Sequence, residues 1–316
     1  MASSRTILKN LKNLKDYLIL FHPLQQSTYF EKLIAEAFSN ILYLPFYTSD
    51  NDDPNIPHRL TWQGIINPIS KAPQGKPDAI AYCYKYYLII EATRRTGANQ
   101  WIKEFGPSIR HSENFCAQNS IPQKDVFVLM VCTKLFEDTY QSIKNYSREE
   151  CKLVPIEVSD LVKILQASIL AFTIKHLELR RLFHQISKTI RNSSSLIDFS
   201  KAVDSSITRW QKDVLKLEKN AFIGVKSYKA MRQIGRIHIG TSEILQKLQK
   251  HTIVKQYLNI IGEKISSKTI EDSLVQQSFA SRLIPTYEGE EVFEPVPFVD
   301  FKGRSLRLID TVMKIK

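Results

Sequence analysis

Apolar residues recur at helical spacing near the start of the chain. They switch to strand-like runs in the middle and return to helical spacing over most of the second half. Ile7, Leu8, Leu11, Leu14 and Leu18 mark one short amphipathic helix over 5–18. A second helix follows His22-Pro23, with Phe30, Leu33, Ile34 and Phe38 at helical spacing and Ser27 and Thr28 placed to cap it. Residues 45–76 carry Pro, Asp, Asn and Gly with few periodic apolar positions, and read as a long loop or small irregular insertion.

Two consecutive strands are expected next, Ala79–Tyr84 and Tyr86–Ala92, with Lys85 at the turn. Helical patterns follow at 97–105 and 107–118, where Pro107 suits a helix start. Val126–Cys132 reads as a buried strand, 135–146 as a helix, 153–158 as a strand, and 160–170 as a helix capped by Ser159. Strands interleaved with helices imply an α/β layer with a mixed sheet flanked by helices. From about 159 onward the pattern is almost all helical, in runs over 160–190, 195–219 and 226–234. A tighter trio then spans 242–248, 253–261 and 269–283, and strand-like alternation returns over 284–310. These patterns divide the chain into an α/β domain over 1–170 and a mainly α-helical domain over 171–316.

Charge sharpens this division. Residues 1–157 carry 18 Lys and Arg against 16 Asp and Glu, whereas residues 158–316 carry 26 against 16. Most of the net charge of +12 therefore sits in the helical half, as expected of a domain that grips a polyanion such as double-stranded DNA. A hydrophobic content of 43% indicates a chain that buries a core. Cys83, Cys116, Cys132 and Cys151 form no CxxC pair, which argues against zinc and disulfides and fits a reducing, cytoplasmic setting. There is no signal-peptide pattern at the N-terminus, and no apolar run approaches the roughly 18 residues of a membrane span.

The chemistry concentrates where the strands begin. Lys76-Pro77-Asp78 puts a carboxylate at the mouth of the first strand, and Glu91-Ala92-Thr93 ends the apolar run of the second. Glu91 and Thr93 share one face of that strand. Two carboxylates close together suit a hard cation such as Mg²⁺, which takes one or two carboxylates plus substrate phosphate. The pattern points to metal-assisted cleavage of a phosphodiester. Glu31, on the second helix, is placed to add a third carboxylate, with Glu36 as its alternative. Each feature also has a structural reading. Asp78 could cap a turn, Glu91 could pair with a neighbouring Arg, and His111 could be a structural histidine or a phosphate contact.

Pro77-Asp78 … Glu91-Ala92-Thr93 resembles the signature of PD-(D/E)XK nucleases. The run from Glu91 through Thr96-Gly97 to Gln100, followed by Glu104, Pro107, Arg110 and His111, is similar to the catalytic domains of AlwI/MlyI-type restriction endonucleases. Those domains carry Glu-x-Thr followed by Thr-Gly-x-x-Gln. Val154-Pro155-Ile156 with Asp160-Leu161 is similar to their last strand and helix, so the resemblance covers about residues 25–170. It implies a restriction-endonuclease-like α/β core and a Mg²⁺-dependent type II endonuclease, or a subunit of one. It also implies a homodimer or a second nuclease subunit, and a cognate methyltransferase in the same system. Asp78 and Glu91 would be metal ligands, with Thr93, Glu31 and Gln100 completing the catalytic set and Arg94, Arg95, Arg110 and His111 facing DNA. One position departs from the wider superfamily. Its usual lysine is Thr93 here, and Arg94, Arg95, Gln100 and Lys76 are the candidates to cover that role.

The helical trio resembles a winged helix-turn-helix at about 240–305, with strands after Leu283 as the wing. Its third helix would offer Ser267, Lys268, Thr269, Asp272 and Gln276 outward while Ile270 and Leu274 face the core. Two other functions remain compatible with the chain. One is a recombination, repair or transposase-type nuclease on the same fold, and the other is a DNA-binding regulator with an inert α/β domain.

Overall fold

A computed structural model of the chain describes residues 2–66, 69–83, 85–146, 152–171, 176–234, 239–276, 280–283 and 292–295. The chain divides into two compact units, residues 1–169 with 174–210 and residues 170–173 with 211–316.

The first unit is built on one mixed sheet of six strands in the order β1-β2-β3-β4-β5-β6. The strands are β1 (Phe46–Thr48), β2 (Arg59–Trp62), β3 (Ala79–Cys83), β4 (Tyr86–Thr93), β5 (Val126–Cys132) and β6 (Lys152–Glu157). β4, β5 and β6 run parallel to one another, while β3 is antiparallel to both β2 and β4. Every residue of β5 is buried, as a Val-rich strand covered on both faces must be. Pro155 is tolerated in β6 because that strand lies at the edge of the sheet, where a missing N–H can face outward. The β3–β4 hairpin closes at Lys85, whose φ of 72° gives the left-handed turn that a two-residue hairpin needs.

The expected mixed sheet flanked by helices is the fold observed, with corrections in detail. The segment over 45–76 is not simply a loop. It contains β1 and β2, two strands too short to show an alternation, formed because each finds a partner across the sheet. The first helix is two: α1 (Ser4–Lys12), capped by Ser3, and α2 (Leu14–Leu18), separated at Asn13. α3 (Gln26–Leu42) begins ahead of its proposed caps, so Ser27 and Thr28 lie inside its first turn, behind a 3₁₀ turn at Pro23–Gln25. α3 packs Phe30, Leu33, Ile34, Ala37, Phe38 and Ile41, all essentially inaccessible, and lies against β2, β3 and β4.

The two helical patterns over 97–118 form one continuous helical run. α4 (Ala98–Gln100) passes through a π-helical turn at Trp101–Phe105 into α5 (Gly106–Asn119). Pro107 has no N–H to continue the ordinary ladder, and the Gly106 N–H reaches back five residues to the Trp101 carbonyl. After β5 come α6 (Glu137–Tyr146), then β6, then α7 (Val158–Leu170), which starts at Val158 directly after the strand. The periodic run over 160–190 is two helices, α7 and α8 (His176–Asn192). α8 buries Leu179, Leu182, Phe183, Ile186 and Ile190 and packs on β6, so the unit that holds the sheet runs on to Trp210, partway along α9 (Leu196–Leu217).

In the second unit, α10 (Lys219–Ile234) packs with a trio of helices, α11 (Thr241–Lys250), α12 (Thr252–Ile261) and α13 (Ser267–Gln276). Their core contains Ile244, Leu248, Val254, Ile261, Ile270 and Leu274, and Phe222 stacks on Tyr257 at 3.9 Å between ring centres. Gly262 takes φ 68° to end α12. The trio is bracketed by a small antiparallel sheet of β7 (Ile239–Gly240), β8 (Ala280–Leu283) and β9 (Val292–Pro295). The expected third helix therefore ends at Gln276, with β8 at 280–283. Most of the proposed wing, 284–291 and 296–301, lies outside the described residues. Among the described residues, no helix is long and apolar enough to cross a membrane.

Candidate active site

The β3–β4 register decides the site. Ala79 lies opposite Ile90, so Asp78, one step before β3, comes to lie across from Glu91. Two contacts lock Asp78 in place. Its Oδ2 accepts the Ala92 N–H at 2.8 Å, and its carbonyl accepts the Gln63 N–H at 2.8 Å. Glu91 is 7% exposed, and its Oε1 lies 2.7 Å from Nδ1 of His111 on α5. Tyr82, Tyr87 and Phe115 pack edge to face and hold α5 against the hairpin. From α3, Glu31 reaches the same neighbourhood. It is 8% exposed, and its Oε2 is buried with no hydrogen-bond partner.

Crowding of carboxylates dominates the electrostatics. Burial, then the charge of Asp78, pushes Glu31 up to about 9. Burial, then Glu91, raises Asp78 well above the carboxylate range, against the Ala92 N–H bond that lowers it. Burial does the same to Glu91, with Glu104 and Glu31 adding to it. His111 is lowered by burial and by Arg110. Since the acid moves up and the base moves down, the Glu91–His111 contact is a hydrogen bond rather than an ion pair.

Thr93, 4% exposed, accepts the Arg95 N–H on its Oγ1 at 3.0 Å and so fastens the loop after β4. Gln100 is fully buried, and its amide is committed to backbone. It donates to the carbonyls of Arg95 at 3.0 Å and Lys134 at 2.8 Å, and accepts the Phe136 N–H at 3.4 Å. Gln100 thus ties the loop after β4 to the loop after β5. Gln100→Ala is expected to cost about 1–3 kcal/mol in urea denaturation, because it orphans buried backbone groups. Arg95 pairs with Glu104, and Arg94 donates to Gln26 at 3.0 Å. Arg110 is exposed beside His111. Glu36, the alternative to Glu31, instead pairs with Lys32 at 2.9 Å.

Local sequence pattern assigns no role to Glu104, nor to Lys71, whose charge favours the ionised forms of Glu31, Asp78 and Glu104. Glu104 and His111 are visible as a helical spacing of seven. Lys71 has no sequence signal, since it sits within a loop.

Among the described residues, no group of three or more His, Cys, Asp or Glu side chains converges closely enough to hold a metal by itself. The donor set fits the open kind of site that Mg²⁺ uses, with one or two carboxylates and the remaining positions for water and phosphate. Buried acids raised this strongly, with an orphaned oxygen on Glu31, call for a cation or protons.

Of the positions proposed on the third helix of the trio, Ser267, Lys268 and Asp272 are exposed, Thr269 is half-buried, and Ile270 and Leu274 are buried. Ser266 caps α13 by accepting the Thr269 N–H at 3.2 Å. Gln276 closes α13, and its side chain lies outside the described residues. Upstream, Arg209, Lys212, Lys216 and Arg232 are exposed, and Lys216 and Lys219 pair with Glu263.

Residues 21–164 match the family model of the AlwI restriction endonuclease, so the family resemblance holds over the segment that carries the sheet and the carboxylates. No curated protein matches the chain. Among solved structures, the chain is similar to the small subunit of the heterodimeric restriction endonuclease R.BspD6I. The identity is 14% and the TM-score 0.46, over 66% of this chain and 99% of that one.

Proposed function

We propose that this chain is a sequence-specific type II restriction endonuclease, or one subunit of one, that hydrolyses phosphodiester bonds of double-stranded DNA with Mg²⁺. The observation that carries this reading is Asp78 facing Glu91 across the hairpin, inside the segment that matches the AlwI family. Asp78 and Glu91 would hold the metal, and Glu31 would stand behind them as a third carboxylate. Mg²⁺ bound there would neutralise charge on the scissile phosphate and make a nearby water more acidic. The chain's own residues do the positioning. The Ala92 N–H aims the Asp78 carboxylate, His111 aims Glu91, and Thr93 and Gln100 fix the loop that carries Arg94 and Arg95. That loop and Arg110 would meet the phosphate backbone.

The second unit would read DNA. The order β7, α11, α12, α13, β8, β9 is compatible with a winged helix, and the exposed start of α13 offers Ser267 and Lys268 to a groove, with Asp272 and Gln276 further along. Phosphate contacts would supply affinity and base contacts specificity. A double-strand cut needs two active sites, so a second copy or a second nuclease subunit is implied. A cognate methyltransferase would protect the host's DNA.

The test is incubation of the protein with long duplex DNA in Mg²⁺ and in EDTA. Discrete fragments that require Mg²⁺ are the expected result. Structure-selective nicking would favour a repair or recombination nuclease, and binding without cutting would favour a regulator or an obligate subunit. Binding measured with Ca²⁺ in place of Mg²⁺ should weaken linearly on a log–log plot against salt, with the slope reporting the phosphates contacted.

A further inference from the structure

We propose that Lys71 supplies the cation of this active site, the role left open by Thr93 at the position of the usual lysine. The proposal rests on the nuclease reading of the same site. The other candidates are engaged elsewhere or bear on none of the carboxylates. Arg95 is paired with Glu104, Arg94 donates to Gln26, and Gln100 is bound to backbone. Lys76 influences none of the site's carboxylates among the interactions that shift them. Lys71 instead bears on Glu31, Asp78 and Glu104 together. It is exposed, and among the described residues it forms no direct ion pair with a carboxylate. A cation that serves a shared field, rather than one partner, remains able to turn toward a phosphate or an attacking water.

The backbone explains how a loop lysine comes to be held there. The loop from Gln63 to Asp78 is closed at its base by the Gln63 N–H on the Asp78 carbonyl. It is pinched again where Ile65 and Ser70 exchange two hydrogen bonds of 3.0 Å. Gly64 permits that pinch, because a Cβ at this position would overlap the Ser70 carbonyl oxygen and the buried indole of Trp62. Lys71 is the residue directly after the pinch. Its anchor and the anchor of Asp78 are therefore one structure.

The test compares wild type, Lys71→Met and Lys71→Arg. Cleavage rate is measured at saturating DNA, DNA affinity in Ca²⁺, and Mn²⁺ affinity without DNA. Lys71→Met is expected to lower the rate at saturation by about 100-fold, as removal of one preorganised charge does. DNA affinity should change by less than about threefold, since one phosphate contact is at stake. Lys71→Arg should recover most of the rate. Mn²⁺ should bind Lys71→Met about fivefold more tightly, because a neighbouring positive charge has been removed. A Lys71→Met protein that cuts at the wild-type rate, or that loses only DNA affinity, overturns the proposal. If wild type cuts no DNA, the nuclease reading falls by itself. Unchanged Mn²⁺ affinity in Lys71→Met would then also refute the placement of Lys71 over the carboxylates, and tighter binding would uphold it.

Discussion

Asp78→Asn and Glu91→Gln are each expected to reduce Mg²⁺-dependent cleavage of duplex DNA by roughly a thousandfold or more, about 4 kcal/mol of barrier. Both substitutions keep shape and hydrogen bonding and remove only charge. The Ala92 N–H can still donate to an amide oxygen at position 78, and the imidazole of His111 can still meet the new amide at position 91. A metal held by two carboxylates, however, loses half of its protein charge in either variant. The same substitutions should make the metal-free protein more stable, because each removes a buried, crowded carboxylate whose ionised form is disfavoured. Lower activity with equal or higher melting temperature separates this outcome from misfolding. A variant that cuts like wild type would remove its residue from the site, and loss of activity with loss of folding would reduce the residue to a structural role.

The second large effect is on stability against pH. Glu31 is raised in the folded protein from an ordinary 4.5 to about 9, chiefly by burial and next by Asp78. Between those values the folded state binds a proton that the unfolded chain has released. Stability therefore falls as pH rises through that window. At pH 7 the cost is on the order of 3 kcal/mol, since each pH unit above the unfolded value costs about 1.4 kcal/mol. Chemical denaturation of metal-free protein from pH 5 to pH 8.5 should show the decline, and Glu31→Gln should flatten it. Mg²⁺ at the alkaline end should restore part of the loss, since a ligand that binds only the folded state stabilises it. Parallel pH profiles for wild type and Glu31→Gln would show that Glu31 is not buried among the other acids.

Much of the α/β core is legible in local pattern. The runs 86–92 and 126–132 have the length and the Val, Leu and Ile content of buried strands, and both appear within a residue of their expected limits. The pairing of Asp78 with Glu91 is legible too. A two-residue hairpin fixes which residues face each other, so thirteen residues of sequence carry the geometry. The exposed start of α13 and its buried Ile270 and Leu274 likewise follow from a 3.6-residue period.

Other features have no local signal. β1 and β2 are three and four residues long, and only partners across the sheet make them strands. Proline ordinarily starts or breaks a helix, so local pattern divides 97–118 at Pro107. In the folded chain the π turn passes the break and brings Glu104 and His111 to the same hairpin. Gln100 belongs to the motif by its type, but its three backbone bonds, to residues 5, 34 and 36 positions away, are a matter of tertiary contact. Lys71 is further from legibility, since its place depends on the close approach of Gly64 to Trp62 and Ser70. The strands, the strongly periodic helices and the facing of two carboxylates could be read from the chain, because each is set by neighbours along it. Which carboxylates crowd together, which side chains are tied to backbone and which cation stands over the site emerge only on folding, because burial and charge are shared among residues that meet only then.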